Sequence, residues 1–411
     1  MAQALGVDFG TTNSVVAVRD SDGRARTLRY GQNLAETFRT VLCFWAEETR
    51  GSLNLHRAAG PAAIAAYLDD PLDSRLIMSM KTYLAQRSFS ETRIFGRAFT
   101  LERLIASFLR ALLAEVGPVG RIVVGRPVRF AGENADDGFG AARLRAACAE
   151  AGLPDVTLML EPEAAGTSFA ATLSAPATVL IGDFGGGTSD FSLLRFTPGG
   201  GVVPLGHAGI GIAGDSFDYR IVDAAISPLL GKHDTYTIMG KPMPIPVEYF
   251  AGFARWHRLS LMRAPRTLRA IAEVARTAQH PERLKNLIAL IEDGLGYEMY
   301  QAVSGAKAAL SGAEATVLRF AHKGFAVERL ITRAEFEGWI APDLARLGAT
   351  IDQALRDADV APGTVDHVFL TGGTAFVPAV RLLFAERFGA EKLAGGGEFV
   401  SVAEGLALAA G

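Results

Sequence analysis

The sequence predicts an α/β fold of two lobes, and three observations predict it. Strand-like runs alternate with runs at helical spacing along the 411 residues. One turn, Asp-Phe-Gly at the end of a buried strand, occurs twice, at Asp8-Phe9-Gly10 and Asp183-Phe184-Gly185. The second copy opens a second β-meander, so the topology begins again halfway along the chain.

Leu5 to Asp8 and Ser14 to Arg19 read as strands around a Gly-Thr-Thr-Asn turn, with Ala25 to Tyr30 as a third. Leu101 to Val116 has apolar residues at helical spacing and stops at Gly117-Pro118, before a buried strand at Arg121-Ile-Val-Val-Gly-Arg-Pro. Ala141 to Ala151 is predicted helical and Val156 to Leu160 extended, and Glu161-Pro162 opens a helix with proline at a tolerated early position. After the small-residue linker Ser174 to Ala177, strands are predicted at Ala177 to Ile181, Phe191 to Phe196 and Gly201 to Leu205. Prolines 242, 244 and 246 mark a turn-rich excursion, Pro281 to Ser311 reads as one long helical run, and Val368 to Leu370 is a buried strand leading into Thr371-Gly-Gly-Thr. Val402 to Ala410 is the last helix. The expected division is lobe I over 1–173, lobe II with a helical insertion over 174–395, and a C-terminal helix returning to lobe I over 396–411.

Composition narrows the function classes. With 49% hydrophobic and 21% charged residues the chain reads as an ordinary globular protein, and a net charge of -3 gives no broad positive field for nucleic acid or an anionic membrane. Cys43 and Cys148 are too few and too far apart for a disulfide framework or a thiolate metal site. No signal-peptide pattern and no long apolar run is present, so a cytoplasmic protein is expected.

The repeat carries the chemistry. Leu5 to Ser14 and Ile181 to Asp190 align so that the two turns superpose at an offset of 175 residues. Each copy places an acid at a strand end, then glycines, then hydroxyl residues. Successive backbone N–H groups of glycine-rich turns, with Thr and Ser hydroxyls, bind phosphate oxygens without a full positive charge. A carboxylate beside a polyphosphate is repelled unless a divalent cation lies between, so Asp8 and Asp183 imply Mg²⁺ held mostly through water. Glycine hairpin turns capped by Asp are common, but two copies with matching acids argue for a phosphate grip. Gly209-Ile-Gly211-Ile-Ala-Gly214 fits G-x-G-x-x-G, yet it lies in a predicted antiparallel meander and not in the first turn of a parallel βαβ unit.

With these motifs in view, the chain resembles the nucleotide-binding domain of the Hsp70 family, within the actin, hexokinase and Hsp70 superfamily. The matching segments are Gly6 to Ser14, Asp183 to Asp190, Phe369 to Pro378, Glu161-Pro162-Glu163-Ala164-Ala165 and Ser401-Val-Ala-Glu-Gly405. Arg121 to Val128 and Trp256-His257 look like a short bacterial branch described as chaperones. The resemblance implies an actin-like ATPase fold, two lobes each with a mixed five-stranded sheet flanked by helices, and ATP or ADP with Mg²⁺ in a cleft between them. It implies that Gly10, Thr11, Thr12 and Asn13 hold phosphates from one side and Gly185, Gly186, Gly187 and Thr188 from the other. Asp8 and Asp183 would order the metal's water shell, and Glu161 and Asp190 would orient the attacking water. Gly372, Gly373 and Thr374 would pass close to the adenosine, with Lys307 and Ser311 as ribose and adenine contacts, Phe376 as a stacking or core residue, and Gly214 and Asp215 completing the nucleotide contacts.

Three departures qualify that picture. Lining up Gly60-Pro61-Ala62-Ala63 puts Ile64 where the family places a lysine that stabilises the transferring phosphate, and Lys81 is read as a surface lysine. Ala308 and Phe376 stand where arginines usually sandwich the base. No peptide-binding domain follows the last helix, so a full chaperone cycle is not expected. The favoured expectation is a slow Mg²⁺-dependent ATPase whose nucleotide state regulates an unknown protein partner. The alternatives are a non-hydrolysing nucleotide-binding scaffold and a small-molecule kinase of the same fold.

Overall fold

The computed structural model describes residues 3–31, 34–49, 52–70, 73–130, 135–167, 173–198, 201–254, 262–393 and 402–411. Trp256-His257 and Ser401 lie outside them. The chain forms two compact units, Met1–Gly211 with Leu347–Ala375 and Leu382–Gly411, and Ile212–Arg346 with Phe376–Arg381. Both Asp-Phe-Gly turns fall in the first.

The first unit holds two large sheets. One follows the order β11-β10-β1-β2-β3, with β4 off the path against β2. These strands are β1 (Gln3–Asp8), β2 (Asn13–Arg19), β3 (Ala25–Thr27), β4 (Phe38–Arg39), β10 (Val119–Arg126) and β11 (Val156–Leu160). β1 to β3 form the antiparallel meander, and β10 and β11 add in parallel. The second sheet has the order β14-β13-β12-β19, from β12 (Ala177–Phe184), β13 (Ser189–Thr197), β14 (Gly201–Ile210) and β19 (His367–Thr371). It repeats the plan: an antiparallel meander, then a parallel strand beside the first. The expectation of five strands in each is thus met along the path of the first sheet, while the second has four among the described residues.

Alternation explains the layers. Successive strand residues face opposite sides, so Leu5, Val7, Val16, Val18, Ile122 and Val124 join one core with residues of helices α2 (Leu101–Leu112) and α3 (Asp137–Glu150). Ala17 and Val123, on the other face, meet the final helix, α12 (Val402–Ala410). The Phe of each repeated turn anchors it: Phe9 packs 5.7 Å from Phe108, and Phe184 lies 5.9 Å from Phe191 and 6.1 Å from Phe384. Burying the Phe sends the preceding Asp to the opposite side of the chain, away from that core.

A three-stranded antiparallel sheet, β5 (Val41–Thr49), β6 (Ser52–Ala59) and β7 (Ser74–Met78), carries α1 (Pro61–Asp69), and β8 (Glu91–Ile94) with β9 (Arg97–Thr100) form a hairpin. A short helix, α4 (Glu161–Ala165), follows β11 directly.

In the second unit the proline-marked excursion is a hairpin of β15 (Thr235–Ile238) and β16 (Lys241–Pro244). Prolines 242 and 244 fit there because a two-stranded ribbon needs few donors. The helices are α5 (Gly214–Ile221), α6 (Val247–Phe253), α7 (Pro265–Arg276), α8 (Pro281–Glu292), α9 (Gly296–Gly312) and α10 (Arg333–Asp357), the last extending into the first unit, and β17 (Ala315–His322) pairs with β18 (Phe325–Thr332). The single helical run expected over Pro281 to Ser311 is two helices, broken where Gly294 takes a φ of 74°. α11 (Pro378–Phe388) starts in this unit and ends in the first. Among the described residues no helix is long and apolar enough to cross a membrane.

Candidate functional site

The two repeated turns meet within the first unit. Thr12 lies over Gly186, and its side chain fills the space a Cβ there would need. The third glycine loop joins them: Gly372 has a φ of 86°, and its α-carbon faces the Phe184 carbonyl so closely that only glycine fits. Asp183 sits opposite Thr371 in the parallel β12–β19 register, and the Thr371 hydroxyl donates to Asp183 Oδ1 at 2.7 Å.

Glu161 is the first residue of α4, delivered by β11, and only 7% exposed. Gly125 on the neighbouring strand leaves it room, since a Cβ there would stand 3.0 Å from Glu161 Cγ. Lys81 Nζ donates to Glu161 Oε1 at 2.6 Å, and the two side chains are 12% and 9% exposed. This overturns the reading of Lys81 as a surface lysine. Ile64 belongs to α1, which packs on the β5–β6–β7 sheet. Lys81 instead rides on a 3₁₀ turn, Met80–Tyr83, pinned by buried Met80 and Leu84. Arg143 of α3, itself buried, fastens the end of the turn and the chain beyond it by donating to the carbonyls of Tyr83 at 3.3 Å and Phe89 at 3.0 Å while pairing with Glu102.

Glu161, Asp183 and Asp190 line one pocket with Thr371, Ser192 and His207. Four acids therefore gather around one buried cation. Burial, then the charges of Glu161 and Asp183, push Asp8 up to about 7, with Lys81 opposing. Asp190 is likewise pushed up to about 7 by burial, Asp183 and Glu161. Glu161 is raised by burial against the pull of Lys81. Burial works against the Lys81 charge, but Glu161, Asp8 and Asp183 together outweigh it and hold its pKa above the ordinary lysine value.

A cluster of hard oxygen donors with raised proton affinity suits a divalent cation. Among the described residues no three His, Cys, Asp or Glu side chains converge to ligate a metal directly.

The raised acids set a pH dependence. A carboxyl whose folded-state pKa lies above its free value of 3.8 adds stability that is full below that value and is lost as pH rises through about 7. Asp8→Asn removes this loss, so its melting temperature should exceed the wild type's by a margin that widens between about pH 4 and about pH 7. Scanning calorimetry of both proteins across that range checks it, and a constant margin would contradict it.

The second unit collects another part of the predicted set. Lys307 on α9 donates to the Gly214 carbonyl at 3.0 Å and to Asp218 at 2.9 Å, and the Ser311 hydroxyl donates to the Lys307 carbonyl at 3.5 Å. Asp215 occupies the first turn of α5 next to Gly214. Phe376 is 70% exposed, so it is not a core residue. Sequence reasoning missed Lys81, Thr371 and His207 as members of the site. The signal for Thr371 was available, because the strand Val368 to Leu370 ends on it.

A parallel-augmented meander built twice, with an acid at each first turn, defines an α/β fold of the actin-like ATPase class. The sequence model of the family described as Hsp70 protein matches residues 85–236 and 291–411, and the chain belongs to that family. It is similar to the chaperone protein DnaK of Thermus thermophilus, 26% identical over 425 aligned positions that take in 100% of this chain and 61% of the relative. It also resembles DnaK of Deinococcus radiodurans, 25% identical across 95% of this chain and 56% of the relative. The chain thus spans about 61% or less of the length of these relatives.

Proposed function

We propose that this protein binds ATP with Mg²⁺ and hydrolyses it slowly, its nucleotide state regulating a protein partner. The observation that carries the reading is the single cluster of Glu161, Asp183, Asp190 and Asp8 around Lys81, beside the loops Gly10–Asn13 and Gly185–Thr188. Little covalent work is needed in phosphoryl transfer, where positioning and charge neutralisation dominate. Gly10, Thr11, Thr12 and Asn13 would take phosphate oxygens from one side, and Gly185, Gly186, Gly187 and Thr188 from the other. Mg²⁺, held through water by Asp8 and Asp183, would offset phosphate charge. Glu161 and Asp190 would orient the attacking water, and Lys81 would stabilise the charge of the transferring phosphate. Gly372, Gly373 and Thr374 would pass close to the adenosine, Lys307 and Ser311 would contact ribose and adenine, the exposed Phe376 would stack, and Gly214 and Asp215 would complete the nucleotide contacts. Residues 1–173 and 174–395 are read as lobes I and II that open and close with nucleotide, with 396–411 returning to lobe I, in a cytoplasmic protein.

The scaffold alternative drew on Ile64 standing in for a lysine. Lys81 inside the carboxylate cluster removes that support and favours turnover. Calorimetric titration of ATP, ADP and GTP with and without Mg²⁺, followed by single-turnover hydrolysis, tests the proposal. Mg²⁺-dependent ATP binding and a rate above that of Asp183→Asn are expected; binding with no excess rate would defeat the ATPase reading in favour of the scaffold or the kinase.

A further inference from the structure

The register of β13 and β14 places a histidine against the site. Asp190 lies opposite Gly209 and Ser192 opposite His207, so the four project from one face of the strand pair. Diagonal neighbours on such a face come within reach when the side chains are long and nothing stands between them. Glycine at 209 supplies the gap, since a Cβ there would come 2.6 Å from Asp190 Oδ1 and 3.7 Å from His207 Nε2. The His207 ring leans across it, with Nε2 3.5 Å from Asp190 Oδ1 and Nδ1 3.2 Å from Ser192 Oγ. The His207 side chain is 8% exposed and lines the same pocket as Glu161, Asp183 and Asp190.

We propose that His207 is a positioning residue: its Nε2–H holds the Asp190 carboxylate in place for the attacking water, while Ser192 fixes the ring and Gly209 opens the path between them. This rests on the ATPase reading above. Burial, reinforced by Arg129 and opposed by Asp137, draws the imidazole pKa down to about 4, so the ring is neutral near pH 7 and carries one N–H. A Ser192 hydroxyl donating to Nδ1 puts that hydrogen on Nε2, toward the acid. The approach of 3.5 Å tightens to a hydrogen bond when the site is loaded, as contacts at catalytic groups commonly do. Gly209 also acquires a purpose here that the dinucleotide motif did not give it.

The test is nucleotide titration and single-turnover hydrolysis on the full chain carrying His207→Ala, His207→Asn, His207→Gln or Gly209→Ala. Asn reproduces the Ser192 contact alone, whereas the Gln amide reaches the Nε2 position. Hydrolysis should fall roughly 10- to 100-fold in the Ala and Asn variants and in Gly209→Ala, and recover most of that loss in His207→Gln. ATP affinity should stay within about twofold throughout, since the interaction acts on the water and not on the bound phosphates. A wild-type rate in His207→Asn, or a His207→Gln no faster than His207→Asn, overturns the assignment while leaving the ATPase intact. Should His207→Ala fail to fold, the Asn and Gln pair decides. A wild type that binds ATP without turnover defeats the ATPase reading itself and takes the role of His207 with it.

Discussion

Lys81→Met should bind ATP and Mg²⁺ nearly as well as wild type but hydrolyse it about 10² to 10³ times more slowly, the loss of one preorganised electrostatic donor, or about 2 to 4 kcal/mol. The aliphatic stem is preserved, so the 3₁₀ turn should keep its anchors in Met80 and Leu84. What disappears is the positive charge 2.6 Å from Glu161, which also offsets the charge of Asp8 and Asp190. Removing one partner of a buried pair leaves the other uncompensated, so the proton affinities of Glu161, Asp8 and Asp190 should all rise. The variant's remaining activity should therefore shift toward higher pH, where these acids ionise. Ile64→Lys is the matching control. Its side chain starts from α1, which packs on β5, β6 and β7, while the place beside Glu161 is held by residue 81, so it should neither raise the wild-type rate nor rescue Lys81→Met. Single-turnover rates across pH for the two single variants and the double variant decide the matter. A Lys81→Met rate within about threefold of wild type would remove lysine from the chemistry, because even a weak electrostatic donor is worth more than that.

Lys81 also shows where sequence reading stops. The Asp-Phe-Gly turns were legible because their logic is local: a strand end, a buried Phe, an acid turned the other way and glycines that admit a close neighbour. Both turns, both meanders and the α/β class follow from alternation and turn chemistry within about ten residues. The place of Lys81 does not. It depends on Arg143, more than fifty residues away, holding the carbonyls of Tyr83 and Phe89, and nothing near Ser79-Met80-Lys81-Thr82 announces that clamp. Matching a short Gly-Pro-Ala-Ala segment instead put Ile64 in its place. His207 was hidden for a related reason, since its diagonal contact with Asp190 exists only once the β13–β14 register is fixed. The helix break at Gly294 was legible in principle, but the apolar spacing on both sides of it outweighed one glycine.

Gly405→Ala should destabilise the protein by about 1 to 3 kcal/mol, the range for overpacking a close-fitting contact. Gly305→Ala, the same substitution in another helix, should stabilise it by about 0.5 to 1 kcal/mol. The opposite signs follow from what each new methyl would meet. At Gly305, within α9, an added Cβ finds nothing within 4 Å, so alanine gains helix propensity and restricts the unfolded chain. At Gly405, within α12, it would strike the backbone carbonyl of Ala164, which no rotamer change can move aside. Neighbouring positions reinforce that seam: Gly6 of β1 faces the Ala403 carbonyl, and Leu406 with Ala164 and Val123 forms a buried cluster. Driving α12 away must shift α4, and α4 begins with Glu161. Gly405→Ala should consequently lose hydrolysis as well as stability, because the carboxylate paired with Lys81 moves with the helix, whereas Gly305→Ala should keep the wild-type rate. Urea unfolding midpoints and single-turnover rates for the two variants test both halves. A Gly405→Ala protein as stable as wild type would mean that α12 is free to slide on β1 and α4, and the close seam would then have no part in holding Glu161.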